Sequence, residues 1–246
     1  MTYFFETVGT IADGVGFSSF DPLHLFWLVA FVVLTAFNGI WYRSMTDVGK
    51  DRWRKVVAVL LIADELFKIT LLCAVGEYSV WYLPLHLCSI NIFVIAIYSW
   101  RPSKLLESFL YMVCIPGAIA ALLFPTWTEL PLLNFMHLHS FSVHILLGMY
   151  PLVLTIGGTF KPSFRDIPKC LLMLLTMAVL IYGINLLLDT NFMFLMYAEE
   201  GNPLYYFEQL WGSHLFGFPV LIFAVLVVMY LPLELVRKLR KNKTLV

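Results

Sequence analysis

Seven stretches of about 20 predominantly apolar residues recur along the chain, each long enough to cross a hydrocarbon layer about 30 Å thick at about 1.5 Å per residue. They run over 23–42, 56–75, 82–100, 104–124, 137–159, 168–188 and 214–236. With no water inside a bilayer to satisfy backbone groups, each is expected to be helical, and the strand alternation of a barrel is not seen. The expectation is therefore an all-α, polytopic membrane protein, a single bundle of seven transmembrane helices over residues 1–246. Composition agrees: 61% of residues are hydrophobic and only 13% charged, far from the balance of a soluble domain. A formal net charge of zero leaves no electrostatic footprint for nucleic acid.

The few charges are sorted by side. Arg43, Lys50, Arg52, Arg54 and Lys55 follow span one, Arg101 and Lys104 follow span three, and Lys161, Arg165 and Lys169 follow span five. Arg237, Lys238, Arg240, Lys241 and Lys243 follow span seven. The opposite connections carry Glu77, Glu129, Asp189, Glu199, Glu200 and Glu208 with no Lys or Arg. Short basic loops stay on the cytoplasmic side, so the N-terminus is expected outside and the C-terminus inside, in a plasma membrane. The first twenty residues lack the basic start of a cleavable signal, and the N-terminus is expected to be mature. The basic tail reads as a topology anchor that favours anionic lipid.

Cys73, Cys88, Cys114 and Cys170 fall in or beside spans, without the paired spacing of a disulfide framework or a C-x-x-C site. No cofactor is implied. All six histidines, His24, His86, His137, His139, His144 and His214, fall in the outer half on this topology. No tight metal-ligand spacing appears among them, and His137 and His139, two apart, point in different directions on a helix. His24, His137 and His214 lie at span ends, where an interfacial, solvated ring is the plain expectation. Cys88, six residues into span three, and His144, seven into span five, share a depth of about 10 Å. If the two helices face one cavity, the thiol and imidazole make a nucleophile and base. His137, Ser140, His144, Gly148 and Pro151 form one polar or small stripe. Asn91 lies one turn from Cys88 and, with His86, is a candidate oxyanion donor.

Span two carries Asp64, Glu65 and Lys68, spaced so that the lysine can neutralise either acid within the helix. A structural network is the expected role, with a proton relay or headgroup anchor as alternatives. Asn185, Asp189 and Asn191 extend an outer polar vestibule at the end of span six. The aromatic segment 201–211 reads as an interfacial lid or belt.

Several short motifs together resemble the YwaF family of bacterial membrane proteins, which is similar to the animal ether-phospholipid acyltransferase transmembrane protein 164. They are Pro84-Leu85-His86-Leu87-Cys88, Ala121-Leu122-Leu123-Phe124-Pro125, His144 with Pro151, the region of Asn191, and Trp211 with His214. The resemblance implies a lipid acyltransferase that moves a fatty acyl group between phospholipids or lysophospholipids, with Cys88 as nucleophile and His144 as base. His86, Asn91, Ser140, Asn191 and His214 are then substrate or oxyanion candidates. The chain differs from the animal relative at His86, where that protein has Asn, and at Ser89, where it has His, so donor and acceptor stay open. A lipid hydrolase with the same site is one alternative. A seven-helix receptor or transporter with an outer polar pocket is the other.

Overall fold

The computed structural model describes residues 3–198 and 202–243. Glu199, Glu200 and Gly201 therefore lie outside the described residues, as do the side chains of the basic tail from residue 236 onward. Among the described residues there is no strand; the helices are α1 (Pro22–Ser44), α2 (Asp47–Val75), α3 (Leu87–Trp100), α4 (Lys104–Leu123), α5 (Phe135–Ile156), α6 (Ile167–Leu188), α7 (Pro203–Trp211) and α8 (Gly217–Lys243). Among the described residues, five segments are long and apolar enough to cross a membrane: α1, α4, α5, Phe164–Leu188 and His214–Leu235. Of the other two expected spans, α2 has 29 residues but carries charges along its length, and α3 has only 14.

Local chemistry sets most boundaries. Asp21 caps α1, accepting the His24 N–H at 2.8 Å, while Pro22 supplies a first residue that needs no donor. The His24 and Ser18 N–H groups hold the Asp21 carboxyl below its ordinary range. Thr46 caps α2, which starts nine residues before the expected span, so Lys50, Arg52, Arg54 and Lys55 ride on the helix rather than in a loop. Gly76, at φ 79°, ends it in the left-handed conformation that glycine adopts without strain. The largest departure is α3. Pro84 lies in an extended and turned segment from Tyr82 to His86, and the helix begins only at Leu87. Cys88 is thus the second residue of a helix, not six residues inside one.

The central element is α5: 67% of its most apolar window is buried, against 11% for the windows of the last two spans. Its neighbours are α1, α2, α3 and α4. Two prolines shape the contact with α4. Pro151 has no N–H, so the Leu147 carbonyl one turn earlier loses its helical donor, and the buried Cys114 thiol supplies one at 3.3 Å. Pro116 likewise cannot donate back to Met112, and α4 widens into a π-turn over Leu110–Cys114. Cys114 is therefore a structural donor. On the basic side, Glu107 accepts from Lys104 at 2.6 Å and from the Lys161 N–H at 2.5 Å, which ties α4 to the α5–α6 connection. At the opposite end, Asn134 caps α5 through Met136 and His137, and its amide donates to the Tyr3 and Glu6 carbonyls at 2.8 and 2.7 Å. The N-terminal segment is strapped to the central helix.

Close helix approach on the basic side depends on Gly157. A Cβ there would lie 2.4 Å from Cδ1 of Tyr42, a fully buried ring whose hydroxyl bonds Thr159. Gly157→Ala is expected to cost about 1–3 kcal/mol through overpacking. The check is a lowered thermal unfolding midpoint of the detergent-solubilised protein; an unchanged midpoint would mean the ring has room to yield.

Candidate functional site

Uncapped donors gather at the start of α3. His86 occupies the N-cap position, but its side chain makes no capping bond, and the first intrahelical bond runs from the Ile90 N–H to the His86 carbonyl at 3.0 Å. The first-turn N–H groups have no helical acceptor. Cys88 is the second residue of this turn. Cys88 is partly buried against the main apolar core, and the buried Asn91 one turn on has an amide oxygen with no hydrogen-bond partner among the described residues. Lys68 lies within electrostatic reach of both Cys88 and His86, and Glu65 of Cys88.

Those two charges belong to a network larger than span two. Lys68 pairs with Glu65 at 2.6 Å, both buried. Asp64 has no pair with Lys68; its Oδ2 lies 3.0 Å from Nδ1 of His139, and His139 Nε2 lies 4.0 Å from Glu65. Lys68 thus pairs within α2 with one of the two acids its spacing allows, while Asp64 faces a histidine of α5. His139 was not singled out in the sequence as part of this network. Its i+2 offset from His137 was the available signal, since it turns the ring to the opposite side of α5, toward α2.

His144 faces another way. Its ring stacks on Trp127 with centroids 5.2 Å apart and planes 7° apart. Its Nδ1 lies 2.6 Å from the Ser140 carbonyl, which can only accept, so Nδ1 carries the proton and Nε2 keeps the lone pair. Ser140 thus contributes its backbone oxygen. No hydrogen bond joins His144 to Cys88 among the described residues. Cys114, a buried thiol near α5, bonds the Leu147 carbonyl three residues along that helix from His144. Asp64 and His139 are in turn within reach of His144.

The three span-end histidines are not solvated. His24 and His137 are fully buried and His214 is 6% exposed. His24 accepts the Phe20 N–H at 2.7 Å and faces the Leu122 carbonyl at 2.6 Å. His137 faces the Leu130 carbonyl at 2.9 Å and accepts from the Trp27 indole at 2.9 Å. Each of these two rings has both nitrogens engaged in a neutral tautomer, which makes them structural. Apolar cover from Phe17 and Phe141 keeps water off both, something span position alone does not reveal. His214 sits in the turn between α7 and α8 beside Phe218, with Nε2 unpartnered among the described residues.

The expected polar vestibule at the end of α6 is also corrected. Asn185 and Asn191 are buried and spent on their own loop. Asn185 accepts from the Phe192 N–H at 2.8 Å and Thr190 at 3.0 Å, and donates to the Phe192 carbonyl at 3.0 Å. Asn191 donates to the Tyr197 carbonyl and accepts from the Met196 N–H, both at 3.0 Å. They hold a strained chain: Asp189, Met193 and Phe194 have φ of 54°, 59° and 54°. Such left-handed non-glycine residues cost of order 1–3 kcal/mol each. This loop meets the Cys88 region, because His86 Nδ1 accepts the Met193 N–H at 3.4 Å and its ring packs on Phe192 and Phe194. The proton of the neutral His86 ring is then on Nε2, which leaves that nitrogen a donor. The aromatic segment beyond forms α7, which exposes Tyr206, Leu210 and Trp211.

Removing one member of the buried ion pair leaves the other uncompensated. Lys68→Ala is expected to destabilise the protein by about 3–5 kcal/mol, and the double change Glu65→Gln with Lys68→Met to recover most of that. Thermal unfolding of the variants in detergent tests it, and equal losses in the single and double variants would show that the pair itself is not the source.

A family model described as the TMEM164 family matches residues 19–230. Comparison with curated proteins finds no match, and neither does comparison with solved structures. With the family match running over most of its length, the chain belongs to the TMEM164 family.

Proposed function

We propose that this membrane protein is a lipid acyltransferase in which Cys88 carries the acyl group and His144 moves the proton. The observation that supports it most is the placement of Cys88 as the second residue of α3, in a first turn whose N–H groups have no side-chain cap. The free N–H groups of such a helix start suit the oxyanion of an acyl-transfer intermediate. Asn91 and the Nε2–H of His86 are the side-chain donors nearest in sequence.

In the first step His144 Nε2 takes the thiol proton and the sulfur attacks the ester carbonyl of a phospholipid. The carbon–oxygen bond to glycerol breaks, and the leaving alkoxide receives the proton as a lysophospholipid departs. In the second step His144 takes the proton of an acceptor hydroxyl, whose oxygen attacks the thioester; the carbon–sulfur bond breaks and Cys88 returns as thiolate. Contacts of this kind tighten when substrate binds, which suits a free state in which the thiol and imidazole are not yet bonded. With water in place of the acceptor hydroxyl, the same steps describe a hydrolase.

Seven spans, with the N-terminus outside and the C-terminus in the cytoplasm of a plasma membrane, complete the reading. The one-sided Lys and Arg distribution supports it. A reporter that fluoresces only in the cytoplasm is expected to be active at the C-terminus and dark at the N-terminus; the reverse pattern would overturn the orientation.

The chemistry is tested with purified protein in vesicles holding a labelled phospholipid donor and a lysophospholipid acceptor. A hydroxylamine-sensitive acyl adduct is expected on Cys88. Cys88→Ser should abolish adduct and turnover, and His144→Ala should slow turnover by about 10²–10⁴-fold. Cys73→Ser, at an exposed position, should turn over normally. Wild-type turnover in Cys88→Ser would remove the mechanism. Absence of any acyl transfer or hydrolysis by the wild type would leave the receptor or transporter class, built around the Asp64, Glu65, Lys68 and His139 network.

A further inference from the structure

The strained loop after α6 has no part in the steps above, yet it touches the residue that opens the nucleophile helix. We propose that residues 189–197 are the water-excluding wall of the Cys88 site, and that Phe192, Met193 and Phe194, seated against His86, direct the acyl group to a lipid hydroxyl rather than to water. The inference rests on the acyl-Cys88 reading and adds the determinant of acceptor choice.

Three features carry it. The loop is built from within: Asn185, Thr190, Asn191 and Phe192 are all buried, although the segment only connects two elements. Such an interior is expected for a part with a fixed position, not for a tether. The loop also keeps left-handed backbone at Met193 and Phe194, where glycine would relieve it, and that conformation accompanies the Met193 N–H on His86 Nδ1 and the rings of Phe192 and Phe194 about the imidazole, at 5.2 and 5.9 Å. Finally, His86 is the N-cap of α3, two residues before Cys88, so anything packed on His86 borders the mouth of that first turn. The wall is apolar where it meets the imidazole. A lysolipid hydroxyl arrives with its own acyl chain and can lie along such a surface, whereas water gains nothing there.

In chemical terms the wall acts on the second step. The thioester carbonyl is attacked by a hydroxyl oxygen, the carbon–sulfur bond breaks, its electron pair returns to Cys88 and the hydroxyl proton goes to His144. An acceptor lipid yields a new phospholipid and water yields a free fatty acid. Closing a site against water suppresses the second outcome without altering the bonds made in the first.

Two measurements on the full chain in vesicles decide the matter. The first needs no catalysis: the rate at which a charged, water-soluble methanethiosulfonate modifies Cys88, with the modified residue identified by mass spectrometry. Phe194→Ala and Asn191→Ala are expected to raise that rate by at least about tenfold, as the wall opens. Met193→Gly keeps the N–H to His86 and accepts the positive φ, and should be modified no faster than wild type. Phe194→Ala is the variant most apt to keep its fold, since its ring is partly exposed. The second measurement is the ratio of free fatty acid to transferred acyl chain, which should rise by at least about tenfold in Phe194→Ala. Modification of Cys88 at the wild-type rate in a folded Phe194→Ala protein would overturn the wall. Faster modification with an unchanged product ratio would overturn its role in acceptor choice. Absence of any acyl-Cys88 in the wild type would overturn the acyltransferase reading, with the modification rates still deciding whether the loop is a cover.

Discussion

Because a lipid phase offers no hydrogen bonds, each backbone group that a proline frees inside the bundle must find a protein partner, and this one requirement organises the centre of the molecule. Pro151 leaves the Leu147 carbonyl without its helical donor, and Cys114 answers it. Pro116 forces the π-turn that forms the segment ending at Cys114. Cys114 is thereby committed to structure, whereas Cys88 is the thiol at a helix start.

Polar groups elsewhere follow the same logic. His24 and His137 are held by carbonyls on one side and by donors on the other, in an aromatic pocket of Phe17, Trp27 and Phe141. The charges of α2 are shared with α5 through His139 rather than balanced along one helix. Several buried polar atoms lack a hydrogen-bond partner among the described residues, Asp64 Oδ2 and His139 Nδ1 included, and Asn91 places another a single turn from Cys88.

Local rules made much of this readable in advance. Hydrophobic length located five of the spans to within a few residues, and missed the early start of α2 and the late start of α3. What local rules could not see was set by contacts distant in sequence. The delay of α3 from Tyr82 to Leu87 comes from the turn around Pro84, and it moves Cys88 from mid-helix to helix start. The stripe from His137 to Pro151 was legible as a stripe, but its neighbours were not: Gly148 packs on Phe31 of α1, and His144 lies on Trp127. Asn191 has the composition of a ligand-binding residue and the geometry of a loop clamp, because its partners are five and six residues away along its own chain.

Asn134 joins two duties in one side chain, since its oxygen starts the central helix and its nitrogen grips the carbonyls of Tyr3 and Glu6. The leading residues are therefore not an appendage. Whatever loosens them, whether proteolytic trimming or a bulky fusion, takes away the two carbonyls that orient the Asn134 amide, and the fraying of the helix start would reach His137 and the aromatic pocket around it before it reached any charged group.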